Sequence, residues 1–299
     1  MFEPDFVTFD AGGVALNVAV AGDPSAPLVI CLHGFPEYWA AWRDVMADLA
    51  RDHFVVAPDQ RGFNLSAKPA GIAAYRAKHM VADLAALADR FSPARPFALA
   101  GHDWGASIAY AYAFAHPDRL SHLIIANGVH PWCFQNAIFH DPAQREASQY
   151  INVLRAPGSD ERMAEDGFRR TSRMIEGFSR TGWMTPDIRA GYLAAWAMPG
   201  AMGAMLNWYR ASPIVVPLPG ETPGEALVMT LPVEALAVSM PHLVVWGSSD
   251  EALLPSCLDG LDRFAPDLTI EKVPGAGHWI LHEKPAEVAA AMRTFLSRA

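Results

Sequence analysis

Short continuous apolar runs punctuate the first part of the chain. "PLVICLH" (27–33), "HFVVAP" (53–58), "PFALAGH" (96–102) and "SHLIIAN" (121–127) are apolar without alternation, which predicts strands buried on both faces. Between them apolar positions recur at helical spacing. Trp39, Trp42, Val45, Met46 and Leu49 predict a helix over 38–50. Met80, Leu84 and Leu87 predict one over 74–90, and "GASIAYAYAFAH" predicts one over 105–116. Ahead of these runs, residues 6–10 and 14–21 alternate around "AGG" and predict a hairpin.

From about residue 131 to 230 the rhythm stops. This stretch is rich in Trp, Met, Gly, Pro and Arg, and it predicts helices without intervening buried strands. Alternation resumes with "HLVVWGSSD" (242–250), "LTIEKVPGAGH" (268–278) and a terminal helix over 285–299. The expected class is α/β, a mainly parallel sheet flanked by helices. Residues 1–130 and 231–299 then form the core, and 131–230 form an inserted helical lid.

Open α/β sheets build their sites beyond the C-terminal ends of their strands. Four such ends carry polar groups: "HGFPE" (33–37), "GHDWG" (101–105), "WGSSDE" (246–251) and "GAGHW" (275–279). The second has the outline of G-x-S-x-G, in which hydrolases hold a nucleophilic serine on a strand–turn–helix, but Asp103 stands in the serine's place. The order Asp, Asp, His at successive strand ends matches the Ser, Asp, His order of such enzymes with the nucleophile changed.

A carboxylate nucleophile displaces at an sp³ carbon and leaves an alkyl ester on the protein. That suits a strained epoxide or a carbon–halogen bond. Attack on an amide or an ordinary ester would give only an easily reversed anhydride. His278 is the expected base for the water that hydrolyses the ester. Asp250 is the expected orienter of its ring, with Glu251 beside it as a second choice. Asn127 lacks the charge for that task. The plain structural alternative for Asp103 is a cap on the helix over 105–116, and His102 is expected to be a packing residue.

Composition narrows the partners. The chain has 299 residues, 52% of them hydrophobic and 18% charged, which suits a compact globule. A net charge of −9 disfavours nucleic acid and anionic membrane surfaces. No apolar run is long enough to span a bilayer, and "MFEPDFVTFD" lacks the basic start and apolar core of a signal peptide. Cys31, Cys133 and Cys257 lie far apart, without metal or disulfide spacing. A cytoplasmic protein without metal is expected, and a homodimer is left open.

"HGFPEYWAAW", "APDQRGF", "GHDWGA" and "GHWILHEKP" resemble the α/β-hydrolase superfamily, and within it the epoxide hydrolases, across almost the whole core. In the lid, "QYINVLRAPG" (149–158) and "LNWYR" (206–210) resemble the segments in which that family carries two ring-opening tyrosines, here Tyr150 and Tyr209. The resemblance implies the α/β-hydrolase fold and an epoxide hydrolase that needs water but no cofactor. It implies that both phenols donate to the opening epoxide oxygen. The backbone N–H groups of Phe35 and Trp104 would form an oxyanion hole for ester hydrolysis. Glu37 would help hold the hydrolytic water, with a buried salt bridge as its alternative. Pro36 would fix its turn, with a cis bond open to it. Trp, Phe and Met residues in the lid suggest an apolar or aromatic epoxide.

Two other readings stay open at this point. Haloalkane dehalogenases share the Asp nucleophile and often place Trp beside it, as Trp104 is here. A second halide donor could come from Trp132, Trp183 or Trp196. Haloacetate dehalogenases fit less well, because they place Arg where this chain has Trp104 and Ser107. A ligand receptor on the same fold would have lost part of the catalytic set.

Overall fold

The computed structural model describes residues 2–298. Its strands are β1 (Asp5–Asp10), β2 (Ala15–Ala21), β3 (Leu28–Leu32), β4 (Phe54–Pro58), β5 (Phe97–His102), β6 (Leu120–Ala126), β7 (His242–Gly247) and β8 (Leu268–Val273). They form one eight-stranded sheet in the order β1-β2-β4-β3-β5-β6-β7-β8. The β1–β2 and β2–β4 pairings are antiparallel, and every later pairing is parallel. This is the α/β-hydrolase architecture.

The continuous apolar runs are explained by the two faces of this sheet. Leu28, Ile30 and Leu32 of β3 join one core, together with Val56, Leu99, Leu123 and Val244. Val29 and Cys31 join the other, together with Val55, Ala98, Ile124 and Val245. Successive side chains point to opposite faces, and both faces are covered. On the first face lie α2 (Ala77–Phe91), through Met80, Leu84 and Leu87, and α3 (Trp104–Ala115), through Ala106 and Ile108. On the second lie α1 (Arg43–Leu49), through Val45 and Met46, and the C-terminal helix (Pro285–Leu296), through Val288 and Met292.

Between β6 and β7 the chain is mainly helical: α4 (Pro131–His140), α5 (Pro142–Ala147), α6 (Gln149–Arg155), α7 (Ser159–Gly177), α8 (Pro186–Trp196), α9 (Ala201–Ala211) and α10 (Leu227–Thr230). The short α11 (Ile280–Glu283) precedes the C-terminal helix, α12. Indole N–H groups tie these helices to the strand ends. Trp196 donates to the Pro36 carbonyl at 2.6 Å and Trp208 to that of Arg61 at 3.1 Å. Trp279 donates to the Ile175 carbonyl at 2.8 Å. Among the described residues no helix is long and apolar enough to cross a membrane. Cys31, Cys133 and Cys257 are free thiols in the interior.

Several boundaries differ from the sequence expectation. The helix over 38–50 opens with a 3₁₀ turn at Trp39–Trp42, and the one over 74–90 begins at Ala77 after a similar turn. The strands predicted over 242–250 and 268–278 stop at Gly247 and Val273. Gly275 has φ 74° and ends any extended run there. The terminal helix stops at Leu296, and residue 299 of its predicted span lies outside the described residues.

One contact sets how closely α3 lies on the sheet. A Cβ on Gly105 would stand 2.2 Å from the Leu32 carbonyl oxygen. The carbonyl is backbone and the Cβ is fixed to the helix backbone, so neither can swing aside. Gly105→Ala should therefore lower stability by about 1–3 kcal/mol or more, read as the midpoint of chemical denaturation. An unchanged midpoint would contradict this packing.

Candidate active site

Asp103 sits between β5 and α3 with φ 49° and ψ −118°. It occupies the N-cap position of α3, yet its side chain makes no capping hydrogen bond. Its Oδ1 instead accepts the Phe35 N–H at 2.7 Å. Gly34 is required by the same approach, because a Cβ there would come within 2.4 Å of the Asp103 Cβ. The Phe35–Pro36 bond is cis.

His278 follows β8 and presents Nε2 to Asp103 Oδ2 at 3.6 Å. Its Nδ1 lies 2.8 Å from Asp250 Oδ2. Asp250 is fully enclosed and well supported. Its Oδ1 accepts the Ala252 and Leu253 N–H groups at 2.8 and 2.9 Å, and its Oδ2 accepts the Asn127 amide at 2.6 Å. Burial opposes charge on both partners, but their mutual attraction outweighs it. Asp250 therefore titrates below the ordinary carboxylate range and His278 well above the ordinary imidazole range. Glu251, the second choice, is exposed and pairs with Arg180. Asn127 has a part that its lack of charge did not suggest. It holds Asp250 with its amide and accepts the Gly247 N–H at 2.7 Å. Its φ of 35° is a conformation that Asn tolerates well.

Tyr150 on α6 and Tyr209 on α9 meet edge to face, 6.2 Å between ring centroids. Tyr209 also packs at 5.0 Å on both Phe35 and Trp104. Tyr150 is half-buried and Tyr209 is buried. Burial first, and then the Asp103 charge, push both phenols well above their usual range. Arg155 holds the two helices together. Its guanidinium donates to the carbonyls of Tyr209, Ile214 and Ser212 at 2.8, 2.7 and 3.2 Å. It stands in the same sequence motif as Tyr150, so its position was visible but its task was not.

His102 is more than a packing residue. Its Nε2 donates to the His278 carbonyl at 2.9 Å, and its Nδ1 lies 2.8 Å from the Glu37 carboxylate. The second Glu37 oxygen receives His282 at 2.9 Å and the Tyr192 hydroxyl at 3.1 Å. Burial pushes Glu37 up, but His102 and His282 outweigh it and hold its carboxyl well below the usual range. Glu37 is thus the centre of a buried carboxylate–histidine hydrogen-bond network behind His278. His282 and Tyr192 were not foreseen; the only hint was the four-residue step from His278 to His282, one helical turn.

Two of the three candidate second halide donors are otherwise engaged. Trp196 donates to Pro36, as above, and Trp183 donates to Ser179 at 3.1 Å. Trp132 packs on Phe264 and under the Arg263 guanidinium. Among the described residues no group of three or more His, Cys, Asp or Glu side chains could hold a metal ion.

Comparison with known proteins identifies the family and the fold. A family model described as alpha/beta hydrolase fold matches residues 27–285. The chain is 34% identical to the AB hydrolase superfamily protein YfhM of Bacillus subtilis, and 30% identical to epoxide hydrolase A of Mycobacterium tuberculosis, each over 96% of both chains. Among solved structures, one of the novel epoxide hydrolases from metagenomes of hot environments is 37% identical, with a TM-score of 0.86 over all of both chains. The Bacillus megaterium epoxide hydrolase in complex with an inhibitor is 29% identical, with a TM-score of 0.88 over 98% of this chain and 100% of that one.

The His278–Asp250 pair makes a prediction about pH. Asp250→Asn removes the strongest charge that holds the imidazolium, so the His278 pKa should fall. Its ring C–H resonances, followed by NMR across pH, should titrate lower in the variant than in the wild type. Coincident curves would mean that Asp250 does not govern the base.

Proposed function

The chain belongs to the alpha/beta hydrolase family and to its epoxide hydrolase branch, and from that premise we propose that it hydrolyses an apolar or aromatic epoxide to a vicinal diol. The observation that carries this reading is the setting of the Asp103 carboxylate. His278 faces it at 3.6 Å, and Tyr150 and Tyr209 border the same small space. Residues 131–230 act as a cap that supplies the two phenols to a core made of 1–130 and 231–299.

Asp103 attacks one ring carbon. The C–O bond opens, and the oxygen takes hydrogen bonds and then a proton from the Tyr150 and Tyr209 hydroxyls. The product of this half-reaction is an alkyl ester. A water deprotonated by His278 then attacks the ester carbonyl, and Asp250 stabilises the imidazolium that forms. The N–H groups of Phe35 and Trp104 receive the oxyanion. Its collapse restores the Asp103 carboxylate and releases the diol, whose leaving oxygen takes the proton of the water-derived hydroxyl, and the proton on His278 returns to the tyrosinate. Glu37 supports the water site at one remove, through His102 and the His278 carbonyl. The dehalogenase reading is weaker because Trp183 and Trp196 have no free N–H for a halide.

Two experiments test the assignment. His278→Gln should still open the epoxide but stall at the ester. Intact-mass spectrometry after mixing with styrene oxide should show a lasting adduct on Asp103. Sustained turnover at the wild-type rate would remove His278 from the mechanism. In the second, Tyr150→Phe and Tyr209→Phe should each impair epoxide opening, and the double variant should be nearly inactive. Loss of one such donor costs on the order of 10²–10³ in rate, and coupled donors need not add. A bromoalkane develops no alkoxide, so any bromide release should survive the double change far better. Full epoxide activity in the folded double variant would overturn the role of the phenols. Bromide release as the faster wild-type reaction would move the assignment to a dehalogenase.

A further inference from the structure

The space around Asp103 is strongly one-sided. Towards Phe178, Met174 and Trp279 there is about 10 Å³, no more than one water needs. That gap touches His278 and Asp103, the two groups between which the hydrolytic water must stand. On the other side, about 30 Å³ lies between Asp103, Ser107, Phe134 and Ile214. Trp104, Ser107, Val129, Phe134 and Ile214 also wall a much larger cavity of about 300 Å³. An apolar cavity of about 150 Å³ suffices to take up benzene.

The large cavity is built for hydrocarbon. Ile108, Ala111 and Phe114 of α3 form one wall, and Trp208 and Val228 stand among those facing it. The Gln135 amide is engaged with the Val215 backbone, to which it donates at 2.8 Å and from which it accepts at 2.9 Å. Leu227 and Leu231 on its rim are exposed.

We propose, resting on the function proposed above, that the substrate is a terminal epoxide with one extended apolar arm, and that the arm lies in the Ala111–Val228 cavity. The ring sits at Asp103 between the two phenols. Its unsubstituted end faces the small gap beside His278. A bulky group on both ring carbons would fill that gap and exclude the water that must cleave the ester. One arm leaves it open, while the cavity supplies binding through burial of hydrocarbon.

The test compares kcat/KM for 1,2-epoxybutane, 1,2-epoxyhexane, 1,2-epoxyoctane and trans-4,5-epoxyoctane. Each methylene added to the terminal series should raise kcat/KM by about fourfold until the cavity is full. The 4,5-isomer, of the same formula as 1,2-epoxyoctane, should be slower by about tenfold or more. Ala111→Phe and, as a second variant on the rim, Val228→Trp should flatten the chain-length series, lowering kcat/KM most for 1,2-epoxyoctane and least for 1,2-epoxybutane. Equal rates for the two octane isomers, or a chain-length series intact in both folded variants, would overturn the proposal. If the folded protein turns over no epoxide, the underlying function fails instead. Calorimetric binding of octanamide against butanamide then reads the cavity alone. Preference for octanamide, lost in Ala111→Phe, supports the subsite, and equal binding overturns it.

Discussion

The site depends on the turn at Asp103. A non-glycine residue at φ 49° and ψ −118° costs on the order of 1–3 kcal/mol and persists only where its surroundings fix it. Here three close approaches do so. Gly34 lies against the Asp103 side chain, Gly101 against the backbone of Gly105 and Ala106, and Gly105 against the Leu32 and His33 carbonyls. A side chain at any of these glycines would push β3, β5 and α3 apart. The turn thus places the carboxylate clear of the helix it precedes and brings it to the Phe35 N–H.

Around that turn the protein buries two carboxylate–histidine units, and they meet at one residue. Asp250 holds the ring of His278 from the β7 end. Glu37 holds its carbonyl from the β3 end, through His102. His278 is therefore located by both side chain and backbone. The Glu37 network extends to Tyr192 on α8, beside the indole of Trp196 that reaches Pro36. The packing of the helices between β6 and β7 and the position of His278 are consequently linked through shared buried polar groups. Removing one partner of such a group leaves the other unpaired in the interior, which is costly.

The sheet and its two coverings were legible because burial on both faces leaves unbroken apolar runs, as in "PLVICLH". Asp103, Asp250 and His278 were legible because the fold places chemistry where such runs end. The ends themselves were read too long at 242–250 and 268–278, since apolar periodicity does not report the turn at which pairing stops. Asn127 and His102 were undervalued for a related reason. Each acts by hydrogen bonds to residues more than a hundred positions away, Asp250 and His278. A pattern along the chain records polarity at such a position but not its partner. Arg155 is the same case, a visible cation whose three acceptors lie on and just beyond another helix.

One charge links the two half-reactions proposed for this site. The Asp103 carboxylate raises His278, and it also raises both Tyr150 and Tyr209. Before reaction it adds to burial in favouring the neutral phenols and to Asp250 in favouring the imidazolium. Attack on the epoxide converts that carboxylate into an uncharged ester. The phenols lose an anionic neighbour as the alkoxide forms, so they become better proton donors at the moment one is needed. His278 loses the same neighbour, so its proton is held less tightly and its basic form becomes accessible for the water. Asp250, whose charge is not consumed, keeps the ring oriented and limits how far its pKa falls. In the proposed reaction, consumption of the nucleophile's own charge thus retunes the acids of the first step and the base of the second.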